Sequence, residues 1–196
     1  SLSVRNFTVF EQADLEFSPG LNVVVGENGA GKSQLLKLAY VVASVSHNYS
    51  DNPRPTKDEL QRKLADKLIT TLRPDSLGRL VTRQSGRSRC EVAVRYLPDF
   101  TANYSFSFAA NSKAEVKLDP APIDYSSSPA VFFPTREMLS LFPGFAAAYR
   151  NRELQFDETY YDLALALEHR PLKGDLSPTI ADLISKLEAC MGGTLA

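Results

Sequence analysis

Two cysteines and two histidines are all that this chain of 196 residues holds of the usual soft metal ligands, and the scarcity closes off several chemistries. Cys90 and Cys190 stand far apart with no second pair, so neither a disulfide framework nor a zinc site is indicated, and both read as inert packing residues. His47 and His169 sit among polar neighbours, where a surface role is the economical reading. Lys and Arg number 22 against 23 Asp and Glu, a net charge of −1. The chain as a whole therefore exerts no pull on nucleic acid or anionic membrane, and any such binding needs a local patch. No apolar run approaches a membrane span, and the first residues lack a basic stretch followed by an apolar one. A soluble, cytoplasmic chain with no membrane partner is expected. A hydrophobic fraction of 43% suffices for an ordinary core, and the length suits one domain or one and a half.

What is present is concentrated in residues 21–33, LNVVVGENGAGKS. The branched run Val23, Val24, Val25 predicts a buried strand, and it ends at Gly26, where the spacing G-x-x-x-x-G-K-S begins. Gly26, Gly31, Lys32 and Ser33 occupy the fixed places of a phosphate-binding loop. Glycines let a loop turn its backbone N–H groups inward around a polyphosphate, and Gly29 adds freedom in mid-loop. Glu27, Asn28, Gly29 and Ala30 lie in the loop among the nucleotide-binding residues, and the N–H groups of Asn28 to Lys32 cradle the phosphates. Lys32 reaches the β- and γ-phosphates, and the Ser33 hydroxyl is placed to ligate Mg2+. A helix running from residue 32 to 44, with Gln34 in its first turn, directs its positive end at the same anion. The motif specifies a triphosphate with magnesium and names neither the base nor the work done.

Upstream, Leu2, Val4, Phe7, Val9 and Phe10 nearly alternate, and Leu15 and Phe17 alternate with Asp14 and Glu16 before the turn Ser18, Pro19, Gly20. Two short strands leading into the loop strand are predicted. This run, VRNFTVFEQADLEFSPGLNVVVGENGAGKS, resembles the amino-terminal part of the RecF/SMC/OLD group of ABC-type ATPases. The likeness lies in Asn6, Phe7, Phe10, Leu15, Phe17, Gly20 and Asn22 and in the pair Asn28, Gly29. A looser likeness to bacterial AAA-labelled ATPases reaches the stretches VFFPTREMLSLFPGF and FDETYYDLALAL. The resemblance implies an α/β P-loop NTPase, ABC/SMC-head-like, with a mixed sheet, an antiparallel β-subdomain and a helical segment. It implies ATP and Mg2+ as ligands, and Arg5 and Asn6 on the base or ribose side. It also implies a second head as homodimer partner, and DNA as the substrate of the work.

The organisation read along the chain is residues 1–45 for strands, loop and helix, 46–87 for a helical insertion and loop, 88–118 for a β meander, and 130–196 for a strand and helices. Leu60, Leu64, Leu68, Ile69 and Leu72 predict an amphipathic helix ending before Pro74, with Asp58/Arg62 and Glu59/Lys63 as pairs on its other face. Arg79, Arg83, Arg87 and Arg89 form either a phosphate-binding patch or a solvated connection. The second is favoured because no aromatic residues interleave with them. Period-two stretches at 90–96, 104–108 and 114–118 fit an antiparallel meander. Residues 130–133 read as a short buried strand, and Thr135, Arg136 and Glu137 as the start of a helix broken near Pro143 and Gly144. In the resembling family a polar loop, usually with glutamine, senses the γ-phosphate at a comparable place; here one of those three residues would have to substitute. Asp157 caps a helix to about Glu168, and Ser177 and Pro178 start a last one with an apolar stripe of Ile180, Leu183, Ile184 and Leu187.

Hydrolysis needs more than the loop. No run of four apolar residues ends in Asp or Glu on a predicted strand after Ser33, and no LSGGQ-like signature occurs. Asp75, Ser76, Leu77 and Gly78 imitate the D-x-x-G of small GTPases but follow no strand, and no N-K-x-D guanine reader accompanies them. A kinase reading lacks an arginine-bearing lid. By the resemblance, Walker B and the signature lie in the carboxy-terminal half of such a head or in a partner head. The sequence reads as the first half of an ATPase, or alternatively as a nucleotide-binding interaction module with little turnover.

Overall fold

Alternation in residues 2–15 produces the first hairpin of the computed structural model. It describes residues 1–49, 54–84, 88–96, 100–125, 128–136, 138, 141–168 and 178–191. Strand β1 (Leu2–Phe7) turns Leu2, Val4 and Phe7 inward and pairs antiparallel with β2 (Phe10–Leu15), the pair Phe7↔Phe10 closing the turn. β1 also pairs with β3 (Arg89–Val94), β3 with β4 (Tyr104–Ala109), and β4 with the short β5 (Lys117–Leu118), giving the order β2-β1-β3-β4-β5. The period of two places Cys90, Val92 and Val94, and Tyr104, Phe106 and Phe108, on one buried face, with Glu91, Ser105 and Ser107 on the other.

Two helices cover that apolar face. Helix α1 (Lys32–Asn48) contributes Leu35, Leu38, Val41, Val42 and Val45, and α2 (Lys57–Leu72) contributes Leu60, Leu64 and Leu68, all in one cluster with the sheet residues. Each such side chain, fully buried, contributes roughly 1.5–3 kcal/mol of transfer free energy. Helix α2 starts at a capping box in which Thr56 Oγ1 accepts from Glu59 N–H and the Glu59 carboxylate accepts from Thr56 N–H. Tyr104 donates to the Val42 carbonyl at 3.2 Å, fixing sheet to helix at a point that water does not reach. Between α2 and β3 a 3-10 turn at Leu77–Leu80 presses against the β4–β5 connection. A Cβ on Gly78 would stand 2.2 Å from the Ala110 carbonyl oxygen, so only glycine fits there.

A second, smaller cluster joins Met138, Phe145, Ala146, Tyr160, Leu163 and Ala164, carried largely by α3 (Phe142–Arg150) and α4 (Glu158–Glu168). The chain divides into two compact units, 1–166 and 167–196. The second holds α5 (Pro178–Met191), with an ion pair from Lys186 to Asp182 at 2.6 Å and with Leu183 exposed. The side chains of Ile180 and Leu187 in the predicted stripe lie outside the described residues, as do Glu137, Ser177, His169 and Arg87.

Four predictions need correction. The loop-bearing run is extended but is not a strand: Leu21, Val23 and Val25 are 89%, 70% and 84% exposed, and no described residue pairs with them. Residues 130–133 likewise form no strand, with Val131 53% and Phe133 77% exposed. A branched apolar run becomes a buried strand only between neighbouring strands, and these neighbours are missing from the described residues. For the same reason the sheet there is wholly antiparallel and not mixed. Finally, no helix opens at Thr135. Helix α3 starts later, and Pro143 lies in its first turn instead of breaking it, because the first turn has no use for the missing N–H.

Candidate nucleotide-binding site

Gly31 ends the loop and begins the helix. It caps α1 in the left-handed conformation (φ 83°), its carbonyl accepts from Gln34 N–H and Leu35 N–H, and no side chain caps the helix start. The first N–H groups of α1 are thus left to a ligand, with no acidic residue in the first turn to oppose an anion. Before it, Ala30 N–H donates to the Glu27 carbonyl at 3.3 Å, folding residues 27–30 into a tight turn.

The hairpin tip seals one side of this corner. A Cβ on Gly31 would stand 2.6 Å from Val9 Cγ2 and 2.6 Å from the Phe10 ring, so the glycine of the motif is required by packing as well as by its backbone angle. Nothing in the residue pattern points directly to this contact. Its one trace is that Val9 and Phe10 break the alternation of β1.

Lys32 curls over the loop and its Nζ donates to the carbonyls of Gly26 and Glu27, each at 2.7 Å. Those bonds set the ammonium directly across the turn. Ser33 is exposed, with its hydroxyl beside the helix start, and Gln34 keeps a buried Oε1 that takes no partner among the described residues. Residues 26–34 therefore stand together as predicted. Arg5 and Asn6 do not join them. Arg5 lies on the open face of the sheet with Gln12, Asp14 and Glu91, and Asn6 Nδ2 donates to the Arg89 carbonyl at 3.1 Å. On that face Asp14 is held below the usual carboxylate range by hydrogen bonds from Gln12 and Ser3.

The donor set fits a magnesium-bound triphosphate. Uncapped N–H groups, one ammonium and one exposed hydroxyl stand in one short stretch of the chain. No group of three His, Cys, Asp or Glu side chains suited to a metal occurs among the described residues.

The loop helix is anchored further along by side chains that periodicity could not reveal. Lys37 Nζ donates to the Thr71 carbonyl at 3.1 Å and to Asp157 Oδ2 at 2.7 Å, joining α1 to the end of α2 and the start of α4. One turn on, Tyr40 donates to Asp162 at 2.5 Å, and Lys67 lies 2.6 Å from Asp162 and 3.4 Å from Glu158, to which Thr70 also donates. Burial, then the Asp162 carboxylate, pushes the Tyr40 hydroxyl far above its ordinary range, keeping it a neutral donor. No described helix is long and apolar enough to cross a membrane.

Comparison with known proteins agrees with this geometry. Residues 1–69 match the AAA domain family. The chain is 39% identical over 54 residues to the DNA replication and repair protein RecF of Listeria welshimeri, a stretch covering 28% of this chain and 15% of that protein. It is 42% identical over 52 residues to RecF of Renibacterium salmoninarum, covering 26% and 13% of the two chains. With RecF of a Geobacillus species the likeness is 25% over 91 residues, covering 45% and 24%. In each case the matched stretch spans less than a quarter of the relative's length. The amino-terminal part of this chain is thus similar to AAA-domain and RecF sequences.

Proposed function

We propose that the chain binds ATP with Mg2+ through residues 26–34, as the amino-terminal part of an ABC/SMC-like ATPase head that acts in the cytoplasm on DNA, in repair, maintenance or defence against phage. The observation that carries this is the corner itself. A left-handed Gly31 opens an uncapped helix whose Lys32 is already bridged across the loop. Lys32 neutralises charge at the β- and γ-phosphates, the N–H groups of residues 28–32 hold the phosphate oxygens, and Ser33 holds the ion. Bound Mg2+ supplies charge neutralisation at the phosphates and orients the γ-phosphoryl group.

Turnover needs a carboxylate and a signature loop from further sequence or from a second head in a homodimer. The exposed apolar run 21–25, with no strand beside it, supports that requirement. The same observation favours a second reading, a nucleotide-binding interaction module with little hydrolysis of its own.

Calorimetry and a phosphate-release assay on one preparation separate them. Binding of ATP that depends on Mg2+ and is lost at least tenfold in Lys32→Ala, without steady turnover, fits the first half of a split site. Robust hydrolysis by this chain alone would show that the site is complete. Absence of any magnesium-dependent nucleotide binding would sink both readings.

A further inference from the structure

Away from the loop, the open face of the sheet forms a polar depression of about 570 Å³. Its cations Arg5, Arg89, Arg95 and Lys117 are offset by Asp14, Glu91 and Asp119, and its one ring, Phe106, is buried. That face has an excess of only one cation, and no accessible ring for stacking.

A different balance occurs where α2 ends and the α3–α4 connection passes it. A cleft of about 760 Å³ opens there, lined by Arg73, Arg150 and Arg152 against one carboxylate, Asp75. Between the arginines stand Tyr149, Tyr161 and Phe156, with the two tyrosine rings stacked at 4.9 Å and 15°. None of the three arginines forms an ion pair among the described residues; Arg73 Nη1 donates to the Gln155 carbonyl at 2.7 Å and Arg150 Nε to the Ala146 carbonyl at 3.3 Å. Those bonds hold the guanidinium groups without neutralising them. Arg73 and Arg152 both adopt left-handed backbone angles, φ 52° and 61°, where glycine or asparagine is the ordinary choice. The side chains stand there against backbone preference.

Basic groups interleaved with aromatic rings are what a flexible, base-bearing phosphodiester requires. Guanidinium forks meet phosphate oxygens, and unstacked bases lie on aromatic faces. We propose that this cleft holds a single strand of nucleic acid. The proposal rests on the DNA-directed reading above and adds the surface that does the holding. A duplex, whose bases are already stacked, gains only the charge contacts. The cleft also shares a support with the loop helix, since Lys37 grips Thr71, two residues before Arg73, and Asp157, next to Phe156.

The test is fluorescence anisotropy of a labelled mixed-sequence single strand against the purified chain across a salt series, with Mg-ATP calorimetry on the same samples. Three phosphate contacts predict a slope of log affinity on log salt of about −2. The double variant Arg73→Gly/Arg152→Gly relieves both backbone positions and so folds. It is expected to flatten that slope by about 1.4 while leaving ATP binding intact. Tyr161→Leu is expected to lose roughly tenfold in affinity at unchanged slope, and a duplex of the same sequence to bind more weakly. The proposal is overturned if the wild-type chain does not retain the strand, if the glycine variant keeps the full slope, or if a free mononucleotide displaces the strand at equal concentration. A chain that holds the strand through these residues but binds no ATP sinks the ATPase reading and leaves the cleft. A chain that binds ATP with the strand unaffected by either variant does the reverse.

Discussion

Beneath the antiparallel sheet the apolar residues of this chain are enclosed on every side, whereas around the phosphate loop they stand in the open. Phe7, Phe106, Leu38 and Leu64 are sealed between paired strands and the helices that cover them. Val23, Val25, Val131 and Phe133 are as apolar, yet they lie on extended segments with no ladder. The difference is one of supply. An alternating strand asks for one covering layer, which α1 and α2 provide, while a continuously apolar strand asks for strands on both edges and layers on both faces. The loop corner therefore sits where enclosed apolar residues give way to exposed ones.

The largest expected effect tests the enclosed residues. Phe106→Ala should cost about 3–5 kcal/mol in urea unfolding, whereas Val25→Thr in the same chain should stay within about 0.5 kcal/mol. A cost above about 2 kcal/mol for Val25→Thr would mean that this run is enclosed after all, and the contrast would collapse. A smaller effect is expected at the bridge between α2 and α4. Lys67→Met strips the partly buried Asp162 and Glu158 of their cation, and thermal unfolding should report a loss of about 1–2 kcal/mol, discounted for partial exposure. An unchanged midpoint would show that α4 is not fastened to α2 through this group.

The smallest concerns the start of α2. Hydrogen bonds from Thr56 hold the Glu59 carboxyl below its usual range, so its contribution is present above the ordinary glutamate pKa and fades as pH falls through the lowered one. Glu59→Gln should remove that acid-side dependence while keeping the reciprocal bonds, visible as a flatter stability profile below about pH 5.

The phosphate loop was legible because its chemistry is local. Spacing alone put Gly26, Gly31, Lys32 and Ser33 in order, and the structure keeps them in one turn. The hairpin and meander were legible through period two. The order in which they join was not, since pairing β1 with β3 brings together residues some ninety positions apart. The strand readings at 21–25 and 130–133 followed composition correctly and failed because burial is a property of neighbours. Lys37, Tyr40 and Asp162 left no sequence signal, being single polar residues in helical patterns. Arg5 and Asn6, placed by resemblance, lie on β1, Arg5 on the open face of the sheet and Asn6 bonded to the Arg89 carbonyl.

The seating of Gly31 on Phe10 has one further consequence. It returns the chain, after some twenty residues, to the point from which β2 departs, so everything between is a closed excursion with both feet fixed. Closing such an excursion grows dearer only with the logarithm of its length, about 0.6 kcal/mol for each doubling. Residues 16–20 can therefore lengthen or shorten while the glycine-rich loop keeps its place, its position written by the two contacts at its rim and not by the path that connects them.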